Sequence, residues 1–400
     1  MTGLDREAAR ALAARPEAAR LLAVLDGGGE ETRIVGGAIR NALIGRPVHE
    51  IDLATTALPE ETARRARAAG FKPVPTGIEH GTVTVVVDGT PFEVTTLRED
   101  VETDGRRALV RFGRDFAADA RRRDFTVNAL SLGRDGEVRD YAGGLADLAA
   151  RRLRFIGDAA ARIREDYLRI LRFFRFHAEY GEGPLDRDGL AAAIAGREGL
   201  ARLSRERVRA ELLKLVAAPR AAEAAAAMEQ AGLLERLVSC LGDAGRLGRS
   251  YGLDAVSRLG AHLVRSAADA DRLRTELRLS NAEHAHLLAY AAALARLLSR
   301  QETVDESEAR RSAVLHGPAA LLAVLAATKG EPRPRVDPAA EKLAGRLARG
   351  EAPLPRLPLT GAHLLAQGAR PGPELGRRLA AERTAWIEAG CPGEWPGDQK

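Results

Sequence analysis

The chain has 400 residues, 45% of them hydrophobic and 4% aromatic, with a formal net charge of +5. That length exceeds one comfortable hydrophobic core and predicts two or three domains. Two cysteines far apart, Cys240 and Cys391, offer neither a disulfide framework nor a C-x-x-C zinc signature, and no run of about 18 apolar residues suggests a membrane span. The N-terminus M-T-G-L-D-R-E-A-A-R is charged rather than signal-like, so the expectation is a soluble, cytoplasmic protein in a reducing compartment, with no membrane association and no protein partner.

In chain order, residues 5–25 carry leucines at helical spacing and predict two helices divided at Pro16, closed by D-G-G-G at 26–29. Ile34-Val35 then predicts a strand running into Gly36-Gly37 and a short helix A-I-R-N-A-L-I, followed by Glu50-Ile51-Asp52 on a strand over 50–54. Alternation in a strand puts Glu50 and Asp52 on one face, about 7 Å apart. Paired carboxylates suit a hard cation such as Mg²⁺, and glycines opening a helix suit a triphosphate.

Residues 59–70 predict a helix, with Pro at its start, acids in its first turn and Gly after its end. T-V-T-V-V-V at 82–87 and F-E-V-T-T-L at 92–97 predict two strands joined through D-G-T-P, with Glu93 and Thr95 on one face of the second. Residues 99–121 are polar and loop-like, and loops of that length tend to be functional lids. R-R-R-D-F-T-V-N-A-L at 121–130 sets an Arg–Asp pair, Arg123 and Asp124, ahead of an apolar run.

Residues 159–178 predict one helix whose buried stripe is Ile163, Tyr167, Ile170, Leu171, Phe174 and Ala178, with Arg162, Glu165, Arg169, Arg172 and Phe176 opposite and Asp166 at the border. Asp166 and Arg169, three apart, can form an ion pair. Residues 151–180 and 201–220 are each +4, which suits a polyanion. Helices follow at 185–194, at 203–216 with Ser204 as N-cap, and at 220–239, 251–277, 281–299, 308–328 and 338–349. Two more lie within 357–387, and His284 and His286 are expected to be structural.

The order G-G-x-x-R, then E-x-D-L-A-T, then R-R-D-F-T-V-N-A, then E-D-x-L-R-x-L-R-x-x-R-F resembles the class II tRNA nucleotidyltransferase (CCA-adding enzyme) and bacterial poly(A) polymerase family. The resemblance implies an α+β fold: a polymerase-β-like nucleotidyltransferase head with a small mixed sheet, followed by all-α neck, body and tail. The implied boundaries are 1–30 for an N-terminal helix, 31–150 for the head, 151–220 for the neck, 221–330 for the body and 331–400 for the tail.

It implies two Mg²⁺ ions held by Glu50 and Asp52, with Glu93 completing the carboxylate set. Gly36, Gly37, Arg40 and Arg123 would meet the triphosphate and Asp124 the ribose. Asp166 and Arg169 would read the base of CTP or ATP, with Arg172 and Arg175 in support. The implied partner is the tRNA acceptor arm and the implied reaction CCA addition; poly(A) polymerase, partial CC or A addition, and a catalytically weakened RNA-binding relative stay open. The chain departs from the family at Glu50, where Asp is usual, and at His363, where relatives tend to carry Asp.

Overall fold

The computed structural model describes residues 3–99 and 111–394. Its backbone contacts gather into two units that meet between Gly196 and Arg197. The sequence-based boundaries near 30 and 150 therefore fall inside the first unit and the one near 220 inside the second.

The first unit opens with α1 (Arg6–Ala13) and α2 (Pro16–Leu25), divided as expected because Pro16 starts the second helix. Then come β1 (Thr32–Val35), α3 (Gly37–Leu43), β2 (Asp52–Thr55), α4 (Pro59–Ala68), β3 (Lys72–Gly77), β4 (Thr82–Val87) and β5 (Thr90–Thr96). A two-stranded ribbon pairs β6 (Arg98–Glu99) with β7 (Arg111–Phe112), and α5 (Phe116–Arg122) follows. The lid expected over 99–121 thus has a strand stem and a helical end, while residues 100–110 lie outside the described residues. The unit continues through β8 (Leu130–Leu132), β9 (Val138–Asp140), α6 (Gly144–Ala149), α7 (Ala159–Glu165), α8 (Leu168–Tyr180) and α9 (Arg187–Ala195).

Seven strands form one mixed sheet in the order β3-β4-β5-β2-β1-β8-β9, in which β2 and β5 run parallel and the other neighbours antiparallel. The β4–β5 turn is Asp88-Gly89, with φ of 48° and 85°. Positive φ at both turn residues matches the strand twist, as the D-G signal predicts. Strand β3 was not expected: Pro73 and Pro75 obscure it, and they are tolerated because it is an edge strand.

The register separates two rows of side chains. Ile34, Leu53, Val94 and Val83 are mutual partners across four strands and are at most 1% exposed. The adjacent row is Val35, Asp52, Glu93 and Thr84, on the opposite face because side chains alternate along each strand. Burying an aliphatic side chain of the first row contributes about 1.5–3 kcal/mol. That row fixes the register, and the register in turn places the carboxylates.

Past β9, Gly144 approaches the Thr126 carbonyl so closely that a Cβ there would lie 2.2 Å from the oxygen. Beneath this contact, fully buried Asp147 accepts from the Thr126 hydroxyl (2.7 Å), Arg152 and Arg154. Phe125 packs on Phe155 and Phe176, with centroids 4.7 and 5.5 Å apart, docking α8 against the Arg123–Asn128 segment.

The second unit is helical throughout: α10 (Arg205–Ala217), α11 (Ala221–Gln230), α12 (Leu233–Val238), α13 (Ala244–Arg249), α14 (Ala255–Leu263), α15 (Ala267–Leu277), α16 (Asn281–Ser299), α17 (Glu306–His316), α18 (Pro318–Ala327), α19 (Pro338–Ala348), α20 (Gly361–Ala366) and α21 (Pro373–Glu388). The expected helices at 220–239, 251–277 and 308–328 are each broken. Gly232 breaks the first in a left-handed conformation, and Gly317-Pro318 breaks the last. Ser204 occupies the N-cap of α10 without a side-chain capping bond.

His284 Nε2 lies 2.8 Å from Asp271, and His286 Nε2 2.9 Å from the Ser257 hydroxyl. Among the described residues no group of three His, Cys, Asp or Glu side chains could hold a metal ion by itself. His363 takes up the capping position of an acid, its Nδ1 accepting from Thr360 N while Thr360 Oγ1 accepts from His363 N. No described helix is long and apolar enough to cross a membrane.

Candidate active site

Strand β1 ends at Val35, opposite Asp52, and delivers Gly36-Gly37 beside the carboxylate strand. Gly36 has φ 72° and ψ −128°, a conformation open essentially to glycine, and its N–H donates to the Leu130 carbonyl (3.1 Å). A Cβ on Gly36 would lie 3.2 Å from Arg123 Nη1. The glycine turn and Arg123 are therefore packed together. Arg123 is also held by Asp119, one helical turn earlier, at 3.2 Å.

Glu50 lies just before β2 rather than within it, because pairing with β1 begins at Asp52. The alternation nonetheless extends back to it: Glu50 and Asp52 are exposed and Ile51 is buried. Glu93 sits directly opposite Asp52 in the parallel β2–β5 register. Asp52 keeps its surface open, yet the protein packed around it desolvates the carboxyl and so pushes its pKa above the ordinary value, followed by the charges of Glu93 and Glu50, with Arg123 opposing. A carboxyl whose ionised form is opposed by two neighbouring acids is a donor that a divalent cation would relieve.

Asp124 is 8% exposed and its carboxylate accepts four hydrogen bonds. Oδ1 takes Phe125 N (2.9 Å) and Asn128 Nδ2 (3.0 Å), and Oδ2 takes Arg172 Nε (2.8 Å) and Nη2 (2.6 Å). Burial raises its pKa, but Arg172 and these hydrogen bonds outweigh burial and hold it below the usual carboxylate range.

Arg40, expected at the triphosphate, is 6% exposed. Its Nη2 lies 3.4 Å from where a Gly37 Cβ would stand, yet the guanidinium donates to Asn128 Oδ1, Asn41 Oδ1 and the Tyr180 hydroxyl (2.8 Å). It ties α3 to the end of α8.

The single helix expected over 159–178 is two helices broken at Asp166, whose φ of −153° and ψ of 106° are extended. Asp166 Oδ1 accepts from Leu168 N (3.0 Å), so this side chain competes for the backbone and starts α8. Arg169 hydrogen-bonds the Arg162 carbonyl (2.9 Å) and pairs with Glu165. Phe176, expected on the polar face, is 5% exposed and sits under the guanidinium groups of Arg40, Arg172 and Arg175, the last at 3.9 Å. Arg175 also pairs with Glu179 (3.0 Å).

Gly36, Arg123, Asp52 and Glu93 are thus brought together, and Asp124 and Arg172 are joined directly. Asp119 and Asn128 were not singled out from the sequence. Their signal was closeness in sequence: each stands four residues from Arg123 or Asp124, Asp119 across the last turn of α5 and Asn128 across the turn that follows Phe125.

Residues 32–154 match the family described as the poly A polymerase head domain, and residues 185–242 match the probable RNA and SrmB-binding site of polymerase A. The chain is 39% identical over 262 residues to the mitochondrial CCA tRNA nucleotidyltransferase 1 of Danio rerio, covering 63% of this chain and 61% of that protein. It is 40% identical over 223 residues to the CCA-adding enzyme of Leuconostoc citreum, covering 55% and 54%. These matches span less than two thirds of the length of those relatives. The Bacillus stearothermophilus CCA-adding enzyme, solved in complex with CTP, superposes with a TM-score of 0.74 at 28% identity over 95% of each chain.

Proposed function

The chain belongs to the class II tRNA nucleotidyltransferase and poly(A) polymerase family, and on that premise we propose that it adds C, C and A to the 3′ end of tRNA from CTP and ATP, releasing pyrophosphate. The observation that carries the reading is the placement of Asp52 opposite Glu93, one strand from the Gly36 turn.

Glu50, Asp52 and Glu93 are the residues that would hold two Mg²⁺ ions. Mg²⁺ is usually bound through one or two carboxylates plus substrate phosphates, which suits the Asp52–Glu93 pair. Bound metal would lower the pKa of the attacking 3′-hydroxyl and neutralise charge on the triphosphate. Glu50 stands just before β2, and its extra methylene adds about 1.5 Å to its reach.

Arg123 and the Gly36-Gly37 turn would bind the triphosphate, with Arg40 anchoring α3 behind them. Asp124 would accept from the ribose 2′-hydroxyl, which separates ribonucleotides from deoxyribonucleotides. Asp166 and Arg169, at the break before α8, would present an acceptor and donors to the base edge, with Arg172 and Arg175 in support. The basic helical segments would hold the tRNA acceptor arm through backbone contacts.

Pyrophosphate release from CTP in the presence of Mg²⁺ and a tRNA transcript lacking C-C-A tests the reading. Release that requires the tRNA and is not supported by UTP or GTP is expected. Release independent of tRNA would refute the substrate assignment.

A further inference from the structure

Asn128 has no role in the reaction outlined above, yet it joins two residues that do. Its Oδ1 accepts from Arg40, on the helix that follows the glycine turn, and its Nδ2 donates to Asp124 Oδ1 at 3.0 Å. The reversed amide would set an NH₂ against a guanidinium and an oxygen against a carboxylate, so its neighbours dictate its orientation. Phe176 closes the ring, with the Arg40 and Arg172 guanidinium carbons each 5.1 Å from its centroid.

A carboxylate has about four acceptor positions, and all four on Asp124 are filled by Phe125 N, Asn128 and two nitrogens of Arg172. A ribose hydroxyl must therefore replace one of these donors. Asn128 is 8% exposed and the Phe125 amide is fixed in the backbone, whereas the Arg172 side chain is 31% exposed. Arg172 is the partner that can give way.

We infer that Asn128 is a positioning residue for ribose selection: it holds Asp124 Oδ1 and α3 in one geometry while the incoming 2′-hydroxyl takes the Oδ2 position that Arg172 vacates. The inference rests on the nucleotidyl-transfer reading and deepens it. It needs no contact between Asn128 and the nucleotide, which separates it from the roles of Asp124 and Arg172.

The test is kcat/KM for CTP and dCTP on a tRNA transcript lacking C-C-A. Asn128→Asp keeps an oxygen for Arg40 but loses the donor to Asp124, and Asn128→Ala introduces no charge. A lost hydrogen bond to a charged group predicts that the CTP-over-dCTP ratio falls about tenfold or more in both variants. The fall should come from CTP, because dCTP lacks the hydroxyl that Asp124 reads. An unchanged ratio, or equal losses on both nucleotides, would show a packing role only and overturn the inference. Wild-type protein that transfers neither nucleotide would instead refute the reading beneath it.

Discussion

Asp52 lies directly opposite Glu93 in the parallel pairing of β2 with β5, and the charges of Glu93 and Glu50, after burial, keep the Asp52 carboxyl above its ordinary pKa. In metal-free protein this crowding opposes the ionised form, so a neutral side chain relieves it. Asp52→Asn is expected to reduce nucleotide transfer by roughly 10³-fold or more, since several kcal/mol of charge stabilisation are lost. Its metal-free thermal midpoint should equal or exceed that of wild type, and Mg²⁺ should raise it less. Transfer retained within about tenfold of wild type would remove Asp52 from the reaction.

Asp166 interrupts the helix and its carboxylate accepts from Leu168 N at the start of α8, while Arg169 is steadied by Glu165 and the Arg162 carbonyl. Asp166→Ala should cost about 1 kcal/mol of stability through the lost hydrogen bond to Leu168 N. If these side chains read the base, Asp166→Ala and Arg169→Ala each relax the CTP-over-UTP preference by about tenfold, the worth of a bidentate base contact. Competition between the two nucleotides on one tRNA transcript checks this. Preference unchanged in both variants would refute base reading by this pair.

His262 in α14 is 3% exposed, and burial holds its pKa down to about 4, against an ordinary 6.5, despite the nearby charge of Asp243. A histidine whose folded pKa is depressed stabilises the fold above its unfolded pKa, and the stability is lost as pH falls. The second unit should therefore lose about 3 kcal/mol between pH 6.5 and 4 from this residue. Nearby Glu229, its pKa raised by burial and then by Asp243, acts in the opposite direction. Urea unfolding of wild type and His262→Asn across this range isolates the effect as a difference. Parallel pH dependences would rule His262 out.

Much of the catalytic head was legible because its signals are local. The glycine turn, the alternation through Glu50-Ile51-Asp52 and the Asp88-Gly89 hairpin are each short-range patterns that the sheet then preserved. What escaped was set by partners distant in sequence. Phe176 reads as a polar-face residue on a helical wheel, but Phe125, fifty-one positions earlier, covers it. The bonds of Arg40 to Asn128 and Tyr180 span 88 and 140 positions and leave no local trace. The break at Asp166 hides because one side-chain hydrogen bond to Leu168 N outweighs an otherwise helical pattern. No periodicity encodes that choice.

The most direct test supplies purified protein and Mg²⁺ with tRNA transcripts ending before, within or after C-C-A, together with single nucleotides or the CTP and ATP pair, and sizes the products to one nucleotide. Addition in the order C, C, A followed by a stop is the predicted result. Long A tracts on any RNA 3′ end would contradict it in favour of a poly(A) polymerase, and no incorporation at all would contradict nucleotidyl transfer itself.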